Sequence, residues 1–188
     1  MQYARQIGFP GPGETLVVIG ETFSELGGSE YLKTVLGLER GKPPRPLPEK
    51  VASSARFVQE AIRKNLLTAV HDCSMGGLML AVTLMSVKGK AGVTFDARKI
   101  PSAGCSRLDE ILFSESYARY VATCDEANLR ALKSFAKKNR VPFAAIGKTT
   151  PDAEITIKQG DRQLAKLSLQ SLEAARRETI PRVMGDFT

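Results

Sequence analysis

Two stretches of this sequence repeat one design, in which an apolar run ends, a glycine pair follows and a helix begins. The first leads from residues 16–20 to the glycines at 27–28, and the second from residues 68–72 to the glycines at 76–77. A short apolar run bounded by glycine is typical of a buried strand, and a glycine pair lets the backbone bend sharply before a helix. The chain is therefore predicted to join buried strands to helices through tight turns.

Strands and helices also alternate along the rest of the chain. The predicted strands are 16–20, 68–72, 92–96, 119–124 and 143–147, with a hairpin of 154–158 and 163–167. The predicted helices are 30–36, 49–66, 78–86, 126–139 and 168–177, the last followed by a tail that contains Pro181. This alternation predicts an α/β (α+β) sandwich, a mixed β-sheet with helices packed on it. Residues 1–13 are predicted to be an incoming linker, and residues 14–188 a single domain.

The charge of the chain is basic but scattered. Among its 188 residues, 27 Lys and Arg oppose 20 Asp and Glu, which gives a net charge of +7. The densest basic stretch consists of Arg130, Lys133, Lys137, Lys138 and Arg140. Its spacing indicates the solvent face of an amphipathic helix, and aromatic residues are too few for a nucleic-acid surface. We therefore expect no nucleic-acid partner. Without a long apolar run or a signal peptide, we also expect no membrane span and a cytoplasmic location.

The three cysteines, Cys73, Cys105 and Cys124, stand apart in the sequence. Their odd number and the lack of a Cys-x-x-Cys pair argue against a disulfide framework and against a zinc site. Cys73 and His71 could share one face of a strand as nucleophile and base. No third group in the sequence orients that pair, so reduced and unreactive thiols are favoured.

The two glycine turns are the first candidate binding sites. Glycine lets the backbone approach a ligand closely, and free amides at a helix start favour an anion such as phosphate. The candidate phosphate-binding residues are Gly27, Gly28, Ser29, Ser74, Gly76 and Gly77. Asp72, at the end of the preceding strand, is a candidate ligand for Mg²⁺, which prefers a carboxylate together with phosphate oxygens and water. The alternative is that the glycine pairs serve turn geometry alone.

A third segment, residues 112–116, places a carboxylate between two hydroxyl groups. Glu115 and Ser116 are candidates for binding a sugar hydroxyl or a metal. The same pattern is also typical of a capping arrangement, in which Ser and Glu side chains bond to nearby backbone.

The order of these motifs is more specific than each motif alone. Residues 21–22, 26–31, 71–78 and 112–116 together resemble the C-terminal domain of the aminoimidazole-ribonucleotide-synthetase type, as found in the phosphoribosylformylglycinamidine synthase subunit II (PurL) family. Ile146-Gly147 and the segment from Leu172 to Pro181 also fit this family. The resemblance covers the chain from about residue 12 and implies a PurM C-terminal-domain-like fold.

The resemblance implies a contribution to purine biosynthesis. The family uses ATP to convert formylglycinamide ribonucleotide and glutamine-derived ammonia into the amidine. It implies ATP or ADP and Mg²⁺ as cofactors, held mainly by an N-terminal-type domain. It also implies a glutaminase subunit (PurQ) and a small subunit (PurS) as partners. The catalytic histidine of the family lies in the N-terminal-type domain, so we assign no catalytic residue to this chain and expect it to be inactive alone.

Three departures from the family pattern affect this interpretation. Met75 stands where the turn usually has Asp or Glu, Tyr117 stands where a substrate-binding copy has Gln, and His71, the single histidine, precedes the turn. Two alternatives therefore stay open: another ATP-dependent enzyme of the same superfamily, or a non-catalytic scaffold with a degenerate ligand site.

Overall fold

The first strand lies at the centre of two hydrophobic cores. In the computed structural model, which describes residues 4–185, strand β1 (Thr15–Ile19) is buried along its whole length. Successive side chains of a strand point to opposite faces, so Leu16 and Val18 pack into one core while Val17 and Ile19 pack into the other. A strand covered on both faces has no polar side to show, and this explains the unbroken apolar run.

β1 belongs to a mixed sheet of seven strands. The other strands are β3 (Ala69–Asp72), β4 (Gly92–Asp96), β6 (Tyr120–Cys124), β7 (Phe143–Thr150), β8 (Glu154–Gln159) and β9 (Arg162–Ser168). Their order across the sheet is β3-β6-β1-β7-β4-β8-β9, and only β4 and β8 pair in parallel. Two further short strands, β2 (Thr22–Phe23) and β5 (Ser102–Ala103), form a separate parallel pair.

Helices cover both faces of the seven-stranded sheet. They are α1 (Glu30–Leu36), α2 (Pro48–Arg63), α3 (Gly77–Gly89), α4 (Leu108–Phe113), α5 (Glu126–Asn139) and α6 (Leu169–Met184). Side chains of α3, α4 and α6 fill the core on one face, and those of α2 and α5 fill the core on the other. The predicted fold class, a mixed sheet with helices packed on it, is confirmed.

The last helix is longer than predicted. The sequence analysis ended it at residue 177, but α6 continues through Pro181 to Met184. A proline removes one main-chain donor and disfavours the helix interior, yet the helix end here is exposed and no residue before Gly185 provides a stop. Gly185, with φ of +75°, takes the position after the last turn, where glycine commonly ends a helix.

The segment before β1 packs onto the domain. Phe9 is 2% exposed and its amide donates to the Met85 carbonyl of α3 at 3.1 Å. Gly8 lies so close to the backbone of Gly89 that a Cβ atom there would stand 2.7 Å from the Gly89 nitrogen. That the same segment leads in from an upstream domain stays a prediction. Residues 1–3 of the predicted linker and 186–188 of the predicted domain lie outside the described residues.

The basic side chains of α5 face solvent, as its spacing predicts. Arg130, Lys133, Lys137, Lys138 and Arg140 are all exposed, while Leu132 and Ala136 on the opposite side are buried. Within residues 4–185, no helix combines the length and the apolar character needed to cross a bilayer.

Replacing Phe9 tests whether the segment before β1 contributes to the stability of the folded domain. We expect Phe9→Ala to lower the free energy of unfolding by about 3–5 kcal/mol, because it empties a buried aromatic site. The matched control is Ile7→Ala, since Ile7 is 40% exposed, and it should change the stability by less than about 0.5 kcal/mol. Equal stability of the two variants in urea unfolding would contradict the packing role of this segment.

Candidate functional site

A buried arginine holds the candidate site together. Arg119, directly before β6, is 1% exposed. Its Nε donates to the Ser116 carbonyl at 3.1 Å, its Nη1 donates to Thr22 Oγ1 at 2.9 Å, and its Nη2 donates to the Ser114 carbonyl. Burial lowers the pKa of Arg119, and the nearby thiols and carboxyl groups act in the opposite direction. The guanidinium therefore fixes the backbone on both sides of Glu115.

The two serines beside Glu115 bond to the end of β2 and to the residues directly after it. Ser116 Oγ accepts from the Phe23 amide at 3.1 Å and donates to the Phe23 carbonyl at 3.3 Å. Ser114 Oγ accepts from the Glu25 amide at 3.1 Å. Both serines are fully buried. Their hydroxyl groups thus act here as backbone partners, in agreement with the capping alternative for these two residues.

Glu115 connects the two glycine turns. Its Oε1 accepts from the Glu30 amide at 3.0 Å and from the Gly76 amide at 2.8 Å. Glu30 is the first residue of α1, and Gly76 stands directly before α3. The three segments singled out from the sequence therefore meet at one carboxylate oxygen.

Close backbone packing accounts for one glycine of each turn. Gly77 has a φ of +63°, and a Cβ atom there would stand 2.5 Å from the Ser114 carbonyl oxygen. At Gly27 a Cβ atom would stand 2.1 Å from the Lys42 carbonyl oxygen. These two glycines are therefore required by contacts within the domain, which agrees with turn geometry as their role.

Helix α1 is held by its cap and by one stacked ring pair. Ser29, itself 2% exposed, accepts from the Leu32 amide through its Oγ at 3.3 Å. None of the residues of α1 is buried. Tyr31 stacks on Phe113 of α4 with ring centroids 4.6 Å apart and an angle of 13° between the rings. The cap, this stack and Glu115 together fix α1 beside the second glycine turn.

A cleft of about 320 Å³ opens beside the second glycine turn and Glu115. Asp72, Ser74 and Glu115 line it with polar atoms, and Met75 and Tyr117 add apolar surface. The remaining lining residues are Pro44, Val51, Cys73, Ala118, Arg119 and Tyr120. Met75 is 63% exposed and Tyr117 is 52% exposed. Two of the three positions that depart from the family pattern thus lie on the same cleft.

The predicted site residues separate into an exposed group and a buried group. Gly28, Ser74 and Asp72 are exposed, and Glu115, Gly76 and Gly27 are half-buried. Ser29, Gly77 and Ser116 are buried. Members of the buried group shape the turns through internal contacts, and ligand contact by any of these residues stays a prediction.

Asp72 is the carboxylate that the sequence analysis offers as a ligand for Mg²⁺. Its side chain is 62% exposed, and among residues 4–185 no group of three or more His, Cys, Asp and Glu side chains is arranged around one point. Mg²⁺ commonly takes only one or two protein carboxylates and completes its shell with phosphate oxygens and water. Asp72 fits that role as one ligand among several.

His71 and Cys73 do not form a nucleophile and base. His71 Nδ1 lies 2.6 Å from the Asp72 carbonyl oxygen, and its side chain is 18% exposed. Cys73 is 6% exposed, and burial raises its pKa to about 11. The thiolate that attacks an electrophile is therefore scarce at neutral pH. This agrees with the interpretation of Cys73 as an unreactive thiol.

Sequence reasoning missed Arg119 and its partner Thr22. One signal was available: Arg119 is a charged residue directly before the apolar run of β6. A charged residue is almost never fully buried unless its polar atoms are paired. Two of the acceptors of Arg119 are carbonyl groups three and five residues before it, but the third, the Thr22 hydroxyl, lies 97 residues away. The sequence does not reveal Thr22 as its partner.

The fold and the cleft define an α/β domain with paired glycine turns, joined by the Ser-Glu-Ser segment. The chain belongs to the family of AIR synthase related proteins, C-terminal domain, which it matches over residues 11–159. The resemblance noted from the sequence motifs is thereby confirmed.

Curated relatives in this family include two PurL proteins. The phosphoribosylformylglycinamidine synthase subunit PurL of Thermococcus kodakarensis is 37% identical over 174 residues, which are 93% of this chain and 23% of that protein. PurL of Methanothermobacter thermautotrophicus is 42% identical over 147 residues, which are 77% of this chain and 20% of that protein. The chain therefore spans about a fifth to a quarter of the length of these relatives.

Solved structures of Thermotoga maritima PurL share the fold. The complex with FGAR has a TM-score of 0.80 at 17% identity and covers 90% of this chain and 29% of that one. The complex with ATP has a TM-score of 0.69 at 17% identity, and the PurLQS assembly has 0.68 at 18% identity; each covers 90% of this chain and 26% of that one. At these identities the likeness establishes the fold.

Two glycines with similar backbone angles distinguish close packing from conformational strain. Gly28 has a φ of +71° and open space around its Cα, whereas Gly77 has a φ of +63° and abuts Ser114. We expect Gly28→Ala to cost about 1–2 kcal/mol of unfolding free energy, from the left-handed conformation alone. Gly77→Ala should cost about 2–4 kcal/mol, because overpacking adds to that strain. Equal losses in urea unfolding would contradict the close approach of the Ser-Glu-Ser segment.

Proposed function

We propose that this chain acts as the terminal domain of a phosphoribosylformylglycinamidine synthase. In that role it contributes to the ATP-dependent conversion of formylglycinamide ribonucleotide and ammonia into the amidine. The observation that carries the proposal is the 37% identity to PurL of T. kodakarensis over 93% of the chain. The named relatives favour this function over another enzyme of the same superfamily.

The cleft is proposed to form one wall of a ligand site. Its exposed Ser74 and Asp72 and its half-buried Glu115 offer a hydroxyl and two carboxylates. Glu115 also joins this wall to the first glycine turn, in which Gly28 is exposed. These groups suit sugar hydroxyls and Mg²⁺-bound phosphate better than bare phosphate, because carboxylates repel an uncompensated anion. The other walls and the catalytic histidine would come from the rest of the synthase. The isolated chain is therefore expected to be inactive.

Mg²⁺ and nucleotide enter this proposal through Asp72. The carboxylate would supply one ligand to the ion, and the ion would compensate the charge of the nucleotide phosphates when bound. Support comes from the T. maritima PurL structure with ATP and from the exposed position of Asp72 on the cleft. The N-terminal-type domains would hold most of the nucleotide.

The proposed partners follow from the same relatives. N-terminal domains of the synthase would pack beside the cleft, a glutaminase subunit would supply ammonia from glutamine, and a small subunit would complete the assembly. The PurLQS assembly of T. maritima supports partners of this kind. We place the reaction in the cytoplasm, where the purine precursors are made.

A hybrid synthase tests the proposal. This chain would replace the matching terminal domain of T. kodakarensis PurL, and ADP formation would be measured with formylglycinamide ribonucleotide, ATP, Mg²⁺ and ammonia. We expect the hybrid to turn over substrate, and both the isolated chain and the truncated synthase to be inactive. In the hybrid, Asp72→Asn should raise the Mg²⁺ concentration for half-maximal activity by at least about threefold, because one anionic ligand is lost.

The matched control is Asp125→Asn. Asp125 is exposed before α5 and makes no side-chain capping hydrogen bond, so this variant should behave like the unaltered hybrid. A hybrid that folds and assembles but forms no ADP would contradict the proposed function and would favour a scaffold role.

A further inference from the structure

We propose that Glu115 is a positioning residue that locks the two glycine turns together and so sets the shape of the cleft. The proposal deepens the function proposed above and rests on it, because the cleft is the part of the domain expected to face ligand. It concerns how the wall of that cleft is held rather than an additional ligand site.

One oxygen atom makes the connection. Glu115 Oε1 accepts from the amides of Glu30 and Gly76, at 3.0 and 2.8 Å. The Glu30 amide is among the first N–H groups of α1, which have no carbonyl partner within their own helix. Hydrogen bonds to an ionised carboxylate are roughly twice as strong as those between neutral groups. Two separate turns are thus tied to a single charged atom.

Hydrogen bonds to the backbone of residues 114–116 fix the position of this carboxylate. Arg119 donates to the carbonyl groups of Ser114 and Ser116, the residues on either side of Glu115. The Glu115 amide donates to the Glu25 carbonyl at 3.3 Å. With the backbone held at three adjacent residues, the side chain has few conformations to lose on reaching the turns.

An ordinary helix cap does not account for this arrangement. Ser29 already caps α1 through the Leu32 amide, and Glu115 adds a contact that extends to another helix. Glu115 also lines the cleft, together with Ser74 and Met75 of the second turn. Losing the carboxylate would therefore release both turns and alter the cleft wall at the same time.

The amides that Glu115 occupies are withheld from a ligand. A phosphate placed at these turns would have to compete with the carboxylate for the Glu30 and Gly76 donors and would meet its charge. A ligand in the cleft is therefore expected to meet side chains such as Ser74 and Asp72 rather than the Glu30 and Gly76 amides.

Amide hydrogen exchange in the 188-residue chain tests whether Glu115 holds the two turns together, and the measurement does not require enzymatic activity. We expect Glu115→Ala to accelerate exchange of both the Glu30 and Gly76 amides by at least about tenfold, since each loses its acceptor. Glu115→Gln keeps a neutral oxygen and should accelerate both by about threefold or more. If Glu115→Ala does not fold, the exchange rates of the Glu30 and Gly76 amides in Glu115→Gln decide whether the proposal holds.

Glu110→Ala is the matched control. Glu110 is another carboxylate that bonds to backbone amides, those of Ser106 and Arg107, and it does not contact the glycine turns. Its removal should accelerate exchange at Ser106 and Arg107 and leave Glu30 and Gly76 within about twofold of the unaltered chain. Acceleration of only one of the two turn amides in the deciding Glu115 variant, or of neither, would overturn the proposal.

A kinetic measurement separates positioning from a merely stabilising contact. In the hybrid synthase, Glu115→Gln should raise KM for ATP or for the ribonucleotide by about fivefold or more, while Glu110→Ala leaves both within about twofold. Unchanged KM values beside fast exchange would overturn the positioning role. An inactive unaltered hybrid would instead count against the proposed function, because the exchange result does not depend on activity.

Discussion

The rest of the site depends on a guanidinium group that is almost entirely buried. A buried cation is costly unless its donors are satisfied, and Arg119 meets this condition with two carbonyl groups and one hydroxyl group. The planar fork of arginine suits several acceptors at once. Because two of those acceptors flank Glu115, the same bonds that satisfy the cation also aim the carboxylate at both glycine turns.

This arrangement changes the role that the sequence suggests for the glycine turns, from anion binding to support of the cleft wall. Free amides at a helix start usually attract an anion from outside the protein, but here the domain supplies its own carboxylate to Glu30 and Gly76. The turns therefore act as the framework of a cleft wall, and the exposed groups beside them face outward. Such a cleft wall agrees with the proposed role of this domain within a longer synthase.

The sequence predicted the parts of the fold that depend on local patterns. The buried strands and the amphipathic helix α5 follow from hydrophobic periodicity. It could not predict contacts between distant segments: Gly77 against Ser114, or Arg119 with Thr22, because nothing local marks such partners. Pro181 has the opposite effect, because the local preference of proline against a helix interior is overridden in the exposed last turns of α6, which ends before Gly185.

Urea unfolding of an Arg119→Met variant tests the central claim most directly, that this buried cation organises the site. The account predicts a loss of about 3–5 kcal/mol in the free energy of unfolding, because three buried acceptors lose their donor. Arg119→Lys should lose nearly as much, because a single ammonium cannot reproduce the fork. The control is Arg130→Met on the exposed face of α5. If Arg119→Met were as stable as this control, the account would be contradicted.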